Sequence, residues 1–151
     1  MTPARRSLGF SLLELLVAIS IAGMLLAVSV PGGLRFYESM QYRQAVRDVL
    51  TMLGSAREQS INLGKPQDVA FDPLDGRISY ASNTIALPDD FELTITSAAE
   101  VNRGRSGVIR FYPEGGSSGG DVSLESPSGR GVMISVDWLM GAVSQEAYDV
   151  N

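Results

Sequence analysis

The sequence predicts an α+β chain: one long N-terminal helix, apolar in its first half, packed on antiparallel strands. Three observations carry this. Phe10 to Val30 is a nearly unbroken apolar run of 21 residues. Residues 42–63 repeat apolar side chains at helical spacing. From Gln67 onward the period changes to two, with turn residues between the runs.

The apolar run comes first. At 1.5 Å per residue it spans about 31 Å, one bilayer hydrocarbon core. Arg5 and Arg6 precede it, so the positive-inside tendency puts the leader in the cytoplasm and the rest outside. One carboxylate, Glu14, interrupts it, and an ionisable group at mid-membrane costs about 2.5–3.5 kcal/mol, less near the edge. An uncleaved signal anchor would tether an outer domain. A secretory signal peptide would be cut near Ala27-Val28-Ser29, although the run exceeds the usual core of about 7–15 residues. Neither explains Glu14.

A third reading does. Gly9-Phe10-Ser11-Leu12-Leu13-Glu14-Leu15 resembles the processing motif of type IV pilins and pseudopilins. The resemblance implies that a prepilin peptidase cuts after Gly9 and methylates the new amino terminus at Phe10. It also implies that Glu14 pairs with the terminal amine of a neighbouring subunit during assembly. The physics agrees, because a buried carboxylate is tolerable once an ammonium neutralises it. The expected divisions are a cleaved leader over 1–9, a membrane and assembly helix over 10–30, and an outer domain over 31–151.

Pro31, followed by Gly32 and Gly33, removes a helical hydrogen bond and lowers helix propensity, so a kink or local melting is expected there. Tyr42, Val46, Val49, Leu53, Ala56 and Leu63, with Ser60 filling one step, form a single stripe, while Gln44, Asp48, Thr51 and Glu58 lie away from it. That is an amphipathic helix packed on a domain. Gly64-Lys65-Pro66 stops it. Strands are expected around Val69 and Phe71, Ile78 and Tyr80, Phe91 to Ile95, Val108 to Tyr112, Val122 and Leu124, and Val132 to Trp138. A last short one begins near Gly141-Ala142-Val143. Short turns between them imply antiparallel pairing, with the helix on one face.

The C-terminal half extends the resemblance. Ile109-Arg110-Phe111-Tyr112-Pro113-Glu114-Gly115, Ser117-Ser118-Gly119-Gly120, Val136-Asp137-Trp138 and Gly141-Ala142-Val143 together resemble the GspH/FimT domain. That group holds minor pseudopilins of type II secretion and related minor pilins. Its type IV pilin-like fold, a long N-terminal helix on two antiparallel β-sheets, is what the resemblance implies here.

Composition narrows the chemistry. The 151 residues carry 12 basic and 17 acidic side chains, a net charge of −5; without Arg5 and Arg6 the balance is −7. Such a surface disfavours general nucleic-acid coating. There is no cysteine and no histidine, and Lys65 is the only lysine. Thiolate chemistry is excluded, and the commonest general base and transition-metal ligand is missing, so no enzymatic site and no cofactor is expected. Gly115 to Gly120 lacks the Lys and Ser/Thr of a phosphate-binding loop and is expected to be a flexible connection. Asp72, Asp75, Asp89 and Asp90 lack the alternating ligand spacing of a calcium loop, so no metal is expected. Arg103 and Arg105, on a glycine-containing loop, are the candidate DNA contacts. The overall acidity and the single lysine favour solvated loop charge instead, with Arg110 paired to a nearby carboxylate. Trp138 is assigned to the core.

The resemblance therefore implies a non-enzymatic minor pseudopilin near the tip of the type II secretion pseudopilus, helping folded proteins through the outer membrane. Other major and minor pseudopilins, the inner-membrane assembly platform, the prepilin peptidase and membrane lipid are the implied partners. The implied location is the inner membrane in a single pass, with the C-terminal domain in the periplasm. The alternative is a FimT/FimU-like minor pilin of a type IV pilus, binding DNA for uptake.

Overall fold

The computed structural model describes residues 11–102 and 104–150, the side chains of 28–35 excepted. Gly9, Phe10 and Arg103 lie outside the described residues. The chain divides between Tyr37 and Glu38 into two units.

Helix α1 runs from Leu12 to Leu63, 52 residues. Ser11 caps its start: its Oγ accepts from the Leu13 N–H at 3.3 Å and its carbonyl from the Leu15 N–H at 3.1 Å. At the other end Gly64 takes a φ of +62° and the Lys65 N–H donates to the Ser60 carbonyl at 3.3 Å. This 6→1 bond closes the helix as the Gly-Lys-Pro signal requires. The helix is continuous through Pro31, Gly32 and Gly33, so the local melting considered there is absent. Proline removes one intrahelical bond, and long helical arms on both sides keep the rest of the ladder.

The unit from Glu38 onward combines the second half of α1 with eight strands. The first sheet has the order β3-β2-β1-β5, from Gln67–Asp72 (β1), Arg77–Tyr80 (β2), Asn83–Ala86 (β3) and Gly107–Phe111 (β5). The second has the order β4-β6-β7-β8, from Glu92–Ser97 (β4), Gly120–Glu125 (β6), Arg130–Val136 (β7) and Val143–Asp149 (β8). Every strand pair is antiparallel. Pairing does not simply follow chain order, because β5 returns to β1 and β6 to β4. A short 3-10 helix, Ala99–Val101, bridges β4 and β5.

Two features escape the sequence patterns. β3 has no alternation, and the turn before it contains Ala81 at φ +52°, a position glycine or asparagine normally signals. The expected strand through Trp138 ends at Val136, and Trp138 is 67% exposed instead of buried. Asp137 ends the strand: its Oδ1 accepts the Leu139 and Met140 N–H groups at 3.0 and 2.7 Å and folds the chain into a turn.

The core joins α1 to both sheets. Val49, Leu53, Ala56 and Ser60 are fully buried, as are Phe71 and Ile78 from β1 and β2, Phe111 from β5, and Leu124 and Ile134 from β6 and β7. Tyr42 and Val46 are partly covered, while Ala45 and Met52 broaden the helix's buried face. Leu63, on the expected stripe, is 60% exposed because it sits in the last helical turn, just before the chain leaves for β1.

Candidate assembly site

In the first unit, the apolar side chains of the helix are exposed among the described residues. Leu12, Leu13, Leu16, Val17, Ile21 and Leu25 are all more than half exposed. Together with Leu15, Ile19 and Leu26, also more than half exposed, they are spread right around the helix at 100° per residue. A helix apolar on every side is buried in lipid or among helices of its own kind. The part with described side chains, Leu12 to Ala27, is about 24 Å long. Among the described residues no helix is long and apolar enough to cross a membrane. A complete span requires the residues beyond Ala27.

Glu14 stands in the first turn of this helix and is exposed. A carboxylate there interacts favourably with the partial positive charge of the helix N-terminus. Among the described residues up to Ala27, Glu14 is the one carboxyl group, and it stands at one end of the apolar segment. Its proposed partner, an amine at Phe10, lies outside the described residues.

The arginines expected to compete for a nucleic-acid role are divided by the structure. Arg110 pairs with Asp68, Nε to Oδ1 at 2.6 Å and Nη2 to Oδ2 at 2.8 Å. That pair and burial set the Arg110 guanidinium: the hydrogen bond to Asp68 raises its pKa, against a smaller lowering by desolvation. Arg130 donates to Ser39 Oγ at 3.0 Å and to Ser128 Oγ at 3.3 Å, and lies 5.3 Å from the centre of the Tyr42 ring. Both are occupied in holding the fold. Arg105 is exposed beside Gly104, whose φ is +61°. Arg103 lies outside the described residues.

The loop from Tyr112 to Gly119 is pinned, where a flexible connection was expected. The Ser117 N–H donates to the Trp138 carbonyl at 2.9 Å, and its Oγ donates to the Asp137 carbonyl at 2.9 Å. The Ser118 N–H returns to the Arg110 carbonyl at 2.8 Å, while Ser118 Oγ accepts from the Arg110 N–H at 3.0 Å. From the helix, Arg57 donates to the Met140 carbonyl at 3.3 and 3.1 Å, and Ser60 Oγ to the Tyr112 carbonyl at 3.2 Å. These bonds fix a corner from which Trp138, Leu139 and Met140 project, each about two-thirds exposed. Asp137, a turn-forming residue that the expected strand ran through, is the signal in the sequence that marks this corner. Among the aspartates considered for a metal, Asp72 uses Oδ1 to accept the Leu74 and Asp75 N–H groups at 3.1 and 3.3 Å, which closes the β1–β2 turn.

Comparison with known proteins agrees with this geometry. The prokaryotic N-terminal methylation motif matches residues 4–30. A type II secretion system protein H from Xanthomonas campestris pv. campestris is 34% identical over 145 residues, covering 92% of this chain and 83% of that protein. The solved minor pseudopilin EpsH from the type 2 secretion system of Vibrio cholerae superposes with a TM-score of 0.58 at 11% identity. That match covers 71% of this chain and 97% of EpsH, and it shows a shared type IV pilin-like fold.

Proposed function

This chain belongs to the family of type II secretion system protein H, and on that premise we propose a minor pseudopilin that works by assembly rather than catalysis. It is a structural subunit near the tip of the secretion pseudopilus, helping to move folded proteins through the outer membrane. The observation that carries this is the exposed apolar helix with one carboxylate, Glu14, in its first turn. In a membrane that helix is stored in lipid. In a fibre the same surface packs against the helices of other pseudopilins, and the carboxylate meets a neighbour's terminal ammonium.

The proposed chemistry at the N-terminus is supplied by others. A prepilin peptidase cuts after Gly9 and the amine of Phe10 is methylated, a reading supported by the methylation motif over residues 4–30. The chain is anchored in the inner membrane with its β-rich part in the periplasm, where an assembly platform extracts it. Pro31 gives the helix a place to loosen during extraction. Mass spectrometry of the N-terminus tests the scheme: methylated Phe10 is expected, and a mature start at Val30 would overturn it. Deletion of the gene should abolish secretion of the pathway's cargo and be restored by the intact chain. Normal secretion in the deletion strain would rule out the functional reading.

A further inference from the structure

We propose that the groove between α1 and the free edge of β8 receives an extended acidic segment of another protein, which adds as a further strand to the second sheet. Three observations point there. First, β8 is the last strand of its sheet and pairs with β7 without a bulge, from Arg130↔Asp149 to Val136↔Val143. Edge strands are usually blunted by charged residues, above all lysine, by proline or by a bulge; β8, with the sequence VSQEAYD, has no lysine, proline or bulge, and its two carboxylates, Glu146 and Asp149, lie outside the groove lining. Its outer edge keeps a row of backbone donors and acceptors for a partner strand.

Second, a groove of about 540 Å³ runs beside this edge, floored by Val46, Leu50, Val132 and Ala147. Gln145 and Ala147 stand opposite Ile134 and Val132, so they occupy the core-facing side of the sheet, yet both are exposed. The helix covers β7 and stops short of β8. A strand added beyond β8 would place alternate side chains over this uncovered apolar strip.

Third, the rim is cationic in an otherwise acidic chain. Arg43 donates to the Ser39 carbonyl and Oγ at 3.3 and 3.2 Å, and Arg47 to the Arg43 carbonyl at 3.3 Å. Neither meets a carboxylate among the described residues. The neighbouring Asp48 accepts from Gln44 at 2.7 Å instead. Two guanidinium groups beside an apolar floor select a segment that alternates apolar and acidic residues. This binding does not depend on fibre entry, so it stands or falls separately from the function proposed above.

The test uses the full chain in detergent micelles and a blocked octapeptide of alternating valine and aspartate, followed by fluorescence anisotropy and amide hydrogen exchange. Binding with slowed exchange across β8 is expected. Arg43→Glu with Arg47→Glu should weaken it about tenfold and create binding of the valine–lysine analogue. Gln145→Glu, which leaves the helix untouched and sets a carboxylate in the groove lining, should also weaken it, and a peptide with N-methylated backbone should not bind. No binding of the valine–aspartate peptide, equal binding of the lysine analogue, or unchanged exchange in β8 would each overturn the proposal. So would self-association in the absence of peptide that is lost on the arginine reversal, because a second copy would then fill the groove.

Discussion

Arg110 on β5 and Asp68 on β1 face each other across directly paired strand positions, with two parallel N–H···O bonds of 2.6 and 2.8 Å. The pair is only partly shielded, at 32% and 19% side-chain exposure. Asp68→Asn keeps the shape but removes the charge, and should cost about 1–2 kcal/mol of stability, measured by urea unfolding. The Arg110 pKa is raised, chiefly by its hydrogen bond to Asp68. A raised folded pKa means this contribution is whole below the unfolded value and is lost only as pH climbs through the folded one. The Arg110 protonation state therefore adds no pH dependence between pH 6 and 9.

Tyrosines supply an alkaline limit. Burial raises the pKa of Tyr42, Tyr80 and Tyr148 above the ordinary value; for Tyr148 the bond its hydroxyl donates to Glu125, at 2.7 Å, adds to the rise. Each neutral phenol is favoured in the folded state, so its stabilisation is complete below about pH 10 and declines above it. Thermal melts should show the midpoint falling from about pH 10 upward. Tyr148→Phe should lessen that fall, and an identical profile in the variant would exclude the Glu125 bond as a contributor.

Leu53 and Leu63 separate packing from pattern. Leu53 is fully buried between the sheets and the helix, and Leu53→Ala should destabilise the domain by about 2–5 kcal/mol. Leu63 is 60% exposed, and Leu63→Ala should fall within about 0.5 kcal/mol of the parent. Chemical denaturation of the two variants side by side measures the contrast.

Glu14 carries the assembly reading. Glu14→Gln keeps the shape and some hydrogen bonding, whereas Glu14→Leu removes both charge and polarity. Both should still be inserted and cut after Gly9, yet crosslink poorly to neighbouring pseudopilins and lower secretion, Leu more than Gln. Normal incorporation of the leucine variant would show that the carboxylate is not the assembly contact.

The sequence by itself determined the apolar rod, the carboxylate near its start, the helix stop at Gly64 and the antiparallel strands after Gln67. Each is local: helix and strand periods, a cap and turn chemistry are written in residues a few positions apart. The tertiary structure alone decided where those elements end up. It ended the strand before Trp138 through a turn held by Asp137, so a tryptophan expected in the core faces outward. Ser60, Arg57 and Ser117 tie down the Gly115–Gly120 connection by bonds to the Tyr112, Met140 and Trp138 carbonyls, none readable from glycine content. Likewise, β8 lies at an edge beside Arg43 and Arg47 because of strand order and helix placement. Those depend on which surfaces pack together across nearly a hundred residues, and no spacing within one segment encodes them.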